Sequence, residues 1–286
     1  MLRTKKFIGA VLALVIVCVA VWLFVKEDVA GIIGDRIAAG SASGASMPVE
    51  IAGTAVKETF TIGDNVGVLT DGNVALYAKN GKQLLSYTHG MTDPIVKAAG
   101  RRFLLYDRGG TKLVVRMRDK VLFEKEFDYK IISANISSDG WITVVTAAQR
   151  YASQLHVWNS AYDEEIFTWS SSGEYIICSA ADSGSKTVAA ATLTANASGQ
   201  MVTTVHIFTT EAAMELGKKD FSGEAAVSLE YNSSGNVKII CDSMAAVIDR
   251  SGNVLGRFDF DRKLISCVNA HGTSGMALVF DRYTEA

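Results

Sequence analysis

From Val49 onward the chain is punctuated by turns that recur about every 40 residues, and a period of that length admits few folds. One series is Lys79-Asn80-Gly81, Arg118-Asp119-Lys120, Ser160 to Asp163, Thr210 to Ala213 and Arg250-Ser251-Gly252, with successive members about 39, 42, 50 and 40 residues apart. A second series keeps the same rhythm: Ala98 to Arg101, Ser138-Asp139-Gly140, Asp182 to Lys186, Asn232 to Asn236 and Ala270 to Gly275. Between the turns lie short runs rich in Val, Ile, Leu and aromatic residues. No stretch sustains an apolar helical period, so the region is all-β. Four short strands per repeat is the signature of propeller blades. One four-stranded sheet buries neither face alone, so neighbouring blades must stack. The expected architecture is a β-propeller over residues 48–286, with about five full four-stranded blades plus a partial one.

Full units begin at Pro94, Ile131, Tyr175 and Ala226, with a further unit across Val49 to His89. The sixth begins at Lys263 and reaches Asp281-Arg282-Tyr283 with half its strands. The N-terminal strands near Ile51 and Thr61 would complete it, or the chain is a fragment of a longer protein; the broken rhythm favours the fragment. Two local expectations follow. Gly81 and Gly252 should have positive φ in two-residue hairpins, where a β-carbon is costly. Tyr87, Trp169 and Phe258 lie six residues beyond turn positions Gly81, Asp163 and Gly252. That even offset puts them on one sheet face, where they should fill the gap to the next blade.

Ahead of the repeats, Phe7 to Val25 is an uncharged apolar run of nineteen residues, long enough to span about 30 Å of hydrocarbon as a helix. Arg3, Lys5 and Lys6 precede it, so the N-terminus should stay in the cytoplasm and the rest be exported. A cleaved signal peptide has a shorter core and a small-x-small site after it; here Cys18-Val19-Ala20 lies inside the run. The expected organisation is a cytoplasmic tail at 1–6, a membrane helix at 7–25, a flexible Gly/Ser tether at 26–47 and the propeller at 48–286. A six-residue tail cannot carry a signalling domain.

Formal charge is −2, and −5 without Arg3, Lys5 and Lys6, which gives no drive toward nucleic acid. Beyond the anchor run there are three cysteines, Cys178, Cys241 and Cys267, each in an apolar strand-like run. They read as buried small hydrophobes rather than a disulfide framework. The four histidines, His89, His156, His206 and His271, have no metal-ligand spacing. His156 and His206 share one place in successive repeats, as a structural strand position would. There is no nucleophile elbow and no phosphate-cradling loop. Ser138-Asp139-Gly140 is explained by a hairpin turn, and Glu164-Glu165 and Asp259-x-Asp261 by solvated charge. No catalytic residue, cofactor or metal is assigned. One constellation remains: Asp107-Arg108, Gln149-Arg150 and Asp281-Arg282 all fall at the corner between second and third strands. Arg108, Arg150 and Arg282, with Asp107 and Asp281, would line one rim, either bridging blades or binding an anionic partner bidentately.

Tyr77 to Tyr87, Trp158 to Trp169 and Ile248 to Phe258 resemble the outer hairpins of quinoprotein-type and WD-type propellers, without a Gly-His…Trp-Asp signature. The anchor, the tether and Gln149 to Ser160 together resemble an uncharacterised family of single-pass, propeller-type surface proteins of Gram-positive bacteria. That resemblance spans the chain and implies no catalytic residues. The functional expectation is a non-catalytic binding or scaffold module at the cell membrane, with a protein or envelope polymer as partner. The alternatives are a propeller enzyme, either a quinone-dependent oxidoreductase or a glycan-active hydrolase or lyase, and the sensing subunit of a membrane complex. An enzyme would need carboxylates, histidines or tyrosines converging on the axis, and no such cluster is evident in the sequence.

Overall fold

The computed structural model describes residues 55–261, 263–268 and 274–281. The anchor run, the tether, His271 and Arg282 lie outside the described residues. No helix among the described residues is long and apolar enough to cross a membrane.

The described chain is all-β, in antiparallel sheets whose strands pair in sequence order. The first sheet holds β1 (Val56–Ile62), β2 (Asn65–Thr70), β3 (Asn73–Tyr77) and β4 (Gln83–Thr88). The second holds β5 (Pro94–Ala99), β6 (Arg102–Asp107), β7 (Lys112–Arg116) and β8 (Val121–Glu126). The third holds β9 (Ile131–Ile136), β10 (Ile142–Thr146), β11 (Ser153–Trp158) and β12 (Glu165–Ser171). The fourth holds β13 (Tyr175–Asp182), β14 (Thr187–Ala195), β15 (Met201–Thr209) and β16 (Met214–Ser222). The fifth holds β17 (Ala226–Tyr231), β18 (Val237–Cys241), β19 (Met244–Ile248) and β20 (Val254–Asp259). A last sheet pairs β21 (Leu264–Val268) with β22 (Ala277–Phe280). Five four-stranded blades and a two-stranded sixth thus stand among the described residues, as the turn rhythm predicts.

The turns owe their regularity to short polar side chains. At the β19–β20 turn, Asp249 Oδ1 accepts from the backbone N–H of Ser251 (2.9 Å) and Asn253 (2.9 Å). Asn232 does the same for Ser234 and Asn236, and Asn196 for Ser198 and Gln200. These Asx turns give the same hairpin geometry to three different connections in the fourth and fifth sheets. Gly81 and Gly252 have φ of 84° and 85°, as expected. Their loops differ from the expectation, with three residues rather than two. Ala78 N–H bonds Lys82 O and Asp249 N–H bonds Asn253 O, which leaves the glycine as an extra, left-handed third residue beside a bulge.

The core lies between blades, not within them. One apolar cluster joins Leu76 and Leu69 of the first sheet to Phe103 and Leu105 of the second. Others follow between the second and third, the third and fourth, and the fourth and fifth sheets. Tyr87 packs against the first cluster, where the Arg116 guanidinium sits 4.2 Å from its ring centroid. Trp169 meets His206 and Phe208 of the next sheet at centroid distances of 5.0 and 4.8 Å. Phe258 departs from the pattern and is 58% exposed. The sheet that follows it has only β21 and β22 among the described residues, so no outer strand there covers its ring.

Candidate functional site

The first strands of all six sheets, β1, β5, β9, β13, β17 and β21, border a single cavity of about 650 Å³. Each contributes a side chain to it, two carboxyls, an ammonium, an amide and two thiols in all: Glu58, Lys97, Asn135, Cys178, Glu230 and Cys267. The first strand of a blade has only the axis beyond it, so residues there can stay polar while the second and third strands are buried on both faces. In the second sheet the contrast is plain: β6 and β7 read Arg-Phe-Leu-Leu-Tyr-Asp and Lys-Leu-Val-Val-Arg, buried throughout their centres, while β5 carries Lys97.

Glu230 and Asn135 form the centre of the polar lining. The Asn135 amide donates to Glu230 Oε1 at 2.6 Å and to the Ser179 carbonyl at 3.2 Å, so one side chain ties together the third, fourth and fifth sheets. Glu230 is only 8% exposed. Burial pushes its carboxyl up from the usual 4.5 to about 7, opposed by the Asn135 hydrogen bond and by the charges of Lys97 and Lys238. Lys238 stands opposite Glu230 in the β17–β18 pair, is fully buried, and donates to the Gly275 carbonyl at 3.2 Å. Its burial lowers its pKa, with Glu230 opposing. Desolvation likewise raises the Glu58 carboxyl, and Lys97 counters it. The hydroxyls of Ser133 and Ser179, both on the cavity lining, have no hydrogen-bond partner among the described residues, although buried polar groups normally find one.

Burial also pushes the Cys178 thiol up to about 12, so at neutral pH it is a thiol and a poor nucleophile. Cys241 fits the expected buried small hydrophobe, whereas Cys178 and Cys267 are half-buried and face the cavity. Among the described residues, no three His, Cys, Asp or Glu side chains converge as metal ligands would.

The expectation that nothing converges on the axis is therefore corrected: two carboxylates, a lysine and an asparagine meet there. They escaped notice because none of them sits in a motif, and the first strands lie about 40 residues apart in sequence. The available signal was the position itself, a charged or amide residue in the first strand of four of the six repeats, at Glu58, Lys97, Asn135 and Glu230.

The rim residues take different places. The buried Asp107 accepts from the backbone N–H of Thr92 (3.0 Å) and Asp93 (2.7 Å), which holds the β6–β7 corner against the segment leading into β5. Arg108 Nε bonds Asp93 Oδ2 at 2.9 Å, and Asp93 also faces Lys57 of the first sheet at 3.8 Å. Arg108 thus belongs to a bridge between blades and also borders the axial cavity. Arg150 is exposed. The Asp281 backbone N–H donates to the Lys263 carbonyl at 3.0 Å, and Arg282 lies outside the described residues. Because the Arg108–Asp93 pair is solvent-exposed, Arg108→Gln is expected to cost less than about 1 kcal/mol in urea denaturation. A larger loss would make the bridge a principal clamp on the corner.

His156 and His206 sit on the third strands β11 and β15, as the sequence suggests. Each Nδ1 bonds a glutamate near the start of the fourth strand, Glu165 at 2.6 Å and Glu215 at 2.7 Å. Glu165 is thus no simple solvated charge. Burial works to raise its pKa, but the hydrogen bonds from His156 and Thr168 outweigh that and lower it. Ser138-Asp139-Gly140 lies in the β9–β10 hairpin turn closed by Ser137 N–H to Trp141 O, with Gly140 at φ 96°.

The architecture is similar to that of the WD40 domain of Neurospora crassa Pan2, with a TM-score of 0.56 and 12% identity over 78% of this chain and 71% of that one. At that identity the likeness concerns the fold alone. No curated protein sequence matches the chain. Residues 45–285 do match a family of unknown function, DUF5711, which spans every described blade. The chain belongs to the DUF5711 family.

Proposed function

We propose that this protein is a membrane-tethered, extracytoplasmic β-propeller that acts as a non-catalytic binding module, and that it holds part of its envelope partner in the axial cavity. The observation that carries the reading is the convergence of Glu58, Lys97, Asn135 and Glu230 on a space of about 650 Å³. That volume lies within the range of small-molecule sites, and a mixed apolar lining with a few convergent polar groups is their usual chemistry. Tethering rests on the Phe7–Val25 run and the basic residues before it. A second reading has one specific observation in its favour. A carboxylic acid that keeps its proton to about pH 7, with a lysine in the same cavity, is suited to general acid catalysis.

Two measurements bear on the proposal. Protease added to intact protoplasts is expected to remove everything beyond the tether; full protection would refute the orientation. Full-length protein in detergent is expected to melt at least about 2 °C higher with one class among sugars, sugar acids, amino acids and short peptides. Ser179→Trp, which fills the cavity, should abolish that shift. If no class shifts a cooperative melt, the axial cavity is not the binding site.

A further inference from the structure

Within the proposed axial binding site, we infer that the ligand is a small carboxylate carrying a hydroxyl or ammonium donor on the side away from its carboxylate. This rests on the axial-cavity reading and specifies its chemistry. Lys97 is the only basic residue on the first strands that faces the cavity; the other one there, Lys57, pairs instead with Asp71 at 3.2 Å. Lys97 is exposed and has no ion-pair partner within 4.0 Å among the described residues. Its ammonium is solvated and not locked in an ion pair, so its three donors can turn to a ligand. A ligand carboxylate is the acceptor that matches a cation so placed.

The opposite requirement comes from Glu230. When ionised, its carboxyl has two oxygens with about four acceptor positions, and one donor among the described residues, the Asn135 amide, reaches it at 2.6 Å. A hydroxyl or an ammonium on the ligand supplies a second. On the third and fourth sheets, Ser133 and the buried Ser179, 3% exposed, add cavity-lining residues whose hydroxyls have no partner among the described residues. Ile95, Ile132 and Ile177 form apolar wall between these polar points. Lys97 acts over all of it, since its charge reaches Glu58, Cys178, Glu230 and Cys267 from their separate blades. A simple anion would leave Glu230 unmatched, and a simple amine would leave Lys97 so. The chemistry shared by a sugar acid and an amino acid satisfies both.

The test is calorimetric titration of the full-length protein in detergent with glucuronate and alanine, which separate the two sources. Glucose, ethylamine and propionate serve as partial counterparts. Glucuronate or alanine is expected to bind, and each of its counterparts to bind about tenfold more weakly or not at all. Lys97→Gln should weaken the carboxylate probe by about tenfold or more, while Lys97→Arg keeps most of the affinity. Melting curves of both variants confirm that each is folded. Glucose binding as tightly as glucuronate, unaffected by Lys97→Gln, would overturn the ligand class and leave the axial site standing. Binding that survives Ser179→Trp as well would place the ligand elsewhere and overturn both.

Discussion

Replacing Gly252 by alanine is expected to destabilise the protein by roughly 3 kcal/mol, because two independent penalties fall on one methyl group. The residue sits at φ 85°, where an L side chain is strained. A β-carbon there would also overlap the Lys218 carbonyl of β16, backbone that has no rotamer with which to move aside. The approach is reciprocal, since a β-carbon on Gly217 of β16 would overlap the backbone of Ser251. The outer strand of the fourth blade and the outer turn of the fifth are therefore packed main chain against main chain. Gly217→Ala tests the steric part alone, as its φ is not in the left-handed region, and should cost about 2 kcal/mol. Gly72→Ala, with open space around the added carbon, is the control, expected within about 0.5 kcal/mol of the parent. The measurement is the urea midpoint of each variant. Near-parent stability for both Gly252→Ala and Gly217→Ala would mean that the fourth and fifth blades meet less closely than described.

The second large effect is electrostatic and depends on pH. Glu230 holds its proton in the folded state to about pH 7 and releases it near 4.5 when unfolded. Between those values the folded state binds more protons than the unfolded one, so stability falls as pH rises through that window and levels off above it. The displacement corresponds to about 3 kcal/mol once complete. Glu230→Gln removes the ionisation and keeps an oxygen to accept from Asn135. It is therefore expected to stabilise the protein by as much as about 3 kcal/mol at pH 8 and by almost nothing at pH 4. Parallel stability profiles of parent and variant from pH 4 to 8 would show that Glu230 is ionised without penalty.

Much of the fold was legible because its determinants are local. The Asx residues Asn80, Asn196, Asn232 and Asp249 each set a turn within four residues of themselves, and the rhythm of the two turn series marked the repeats. Trp169 and Tyr87 declared their inter-blade role through an even offset from a turn. Phe258 had the same offset and a different environment, because what covers an aromatic ring is the neighbouring blade and not its own strand. The three-residue loops at Gly81 and Gly252 were misjudged by one residue for a related reason. Sequence marks the glycine, while the closing hydrogen bonds decide which side of it the ladder resumes.

The candidate site was legible only in part. The rim residues Asp107 and Arg108 were visible as a repeated corner, but their bonds to Thr92 and Asp93 make that corner a junction between blades. Glu230 and Asn135 are 95 residues apart, and neither sits in a motif. By itself, the sequence determined the strand count per repeat, the turn positions, and the apolar run that motivates a tether. Each of these depends on interactions within a few residues, where covalent spacing dictates geometry. Tertiary structure alone decided that side chains from all six first strands, four of them charged or amide, would face a common cavity and that burial would hold the Glu230 proton. Those outcomes depend on the fold bringing six distant strands together and on the burial of Glu230 among them.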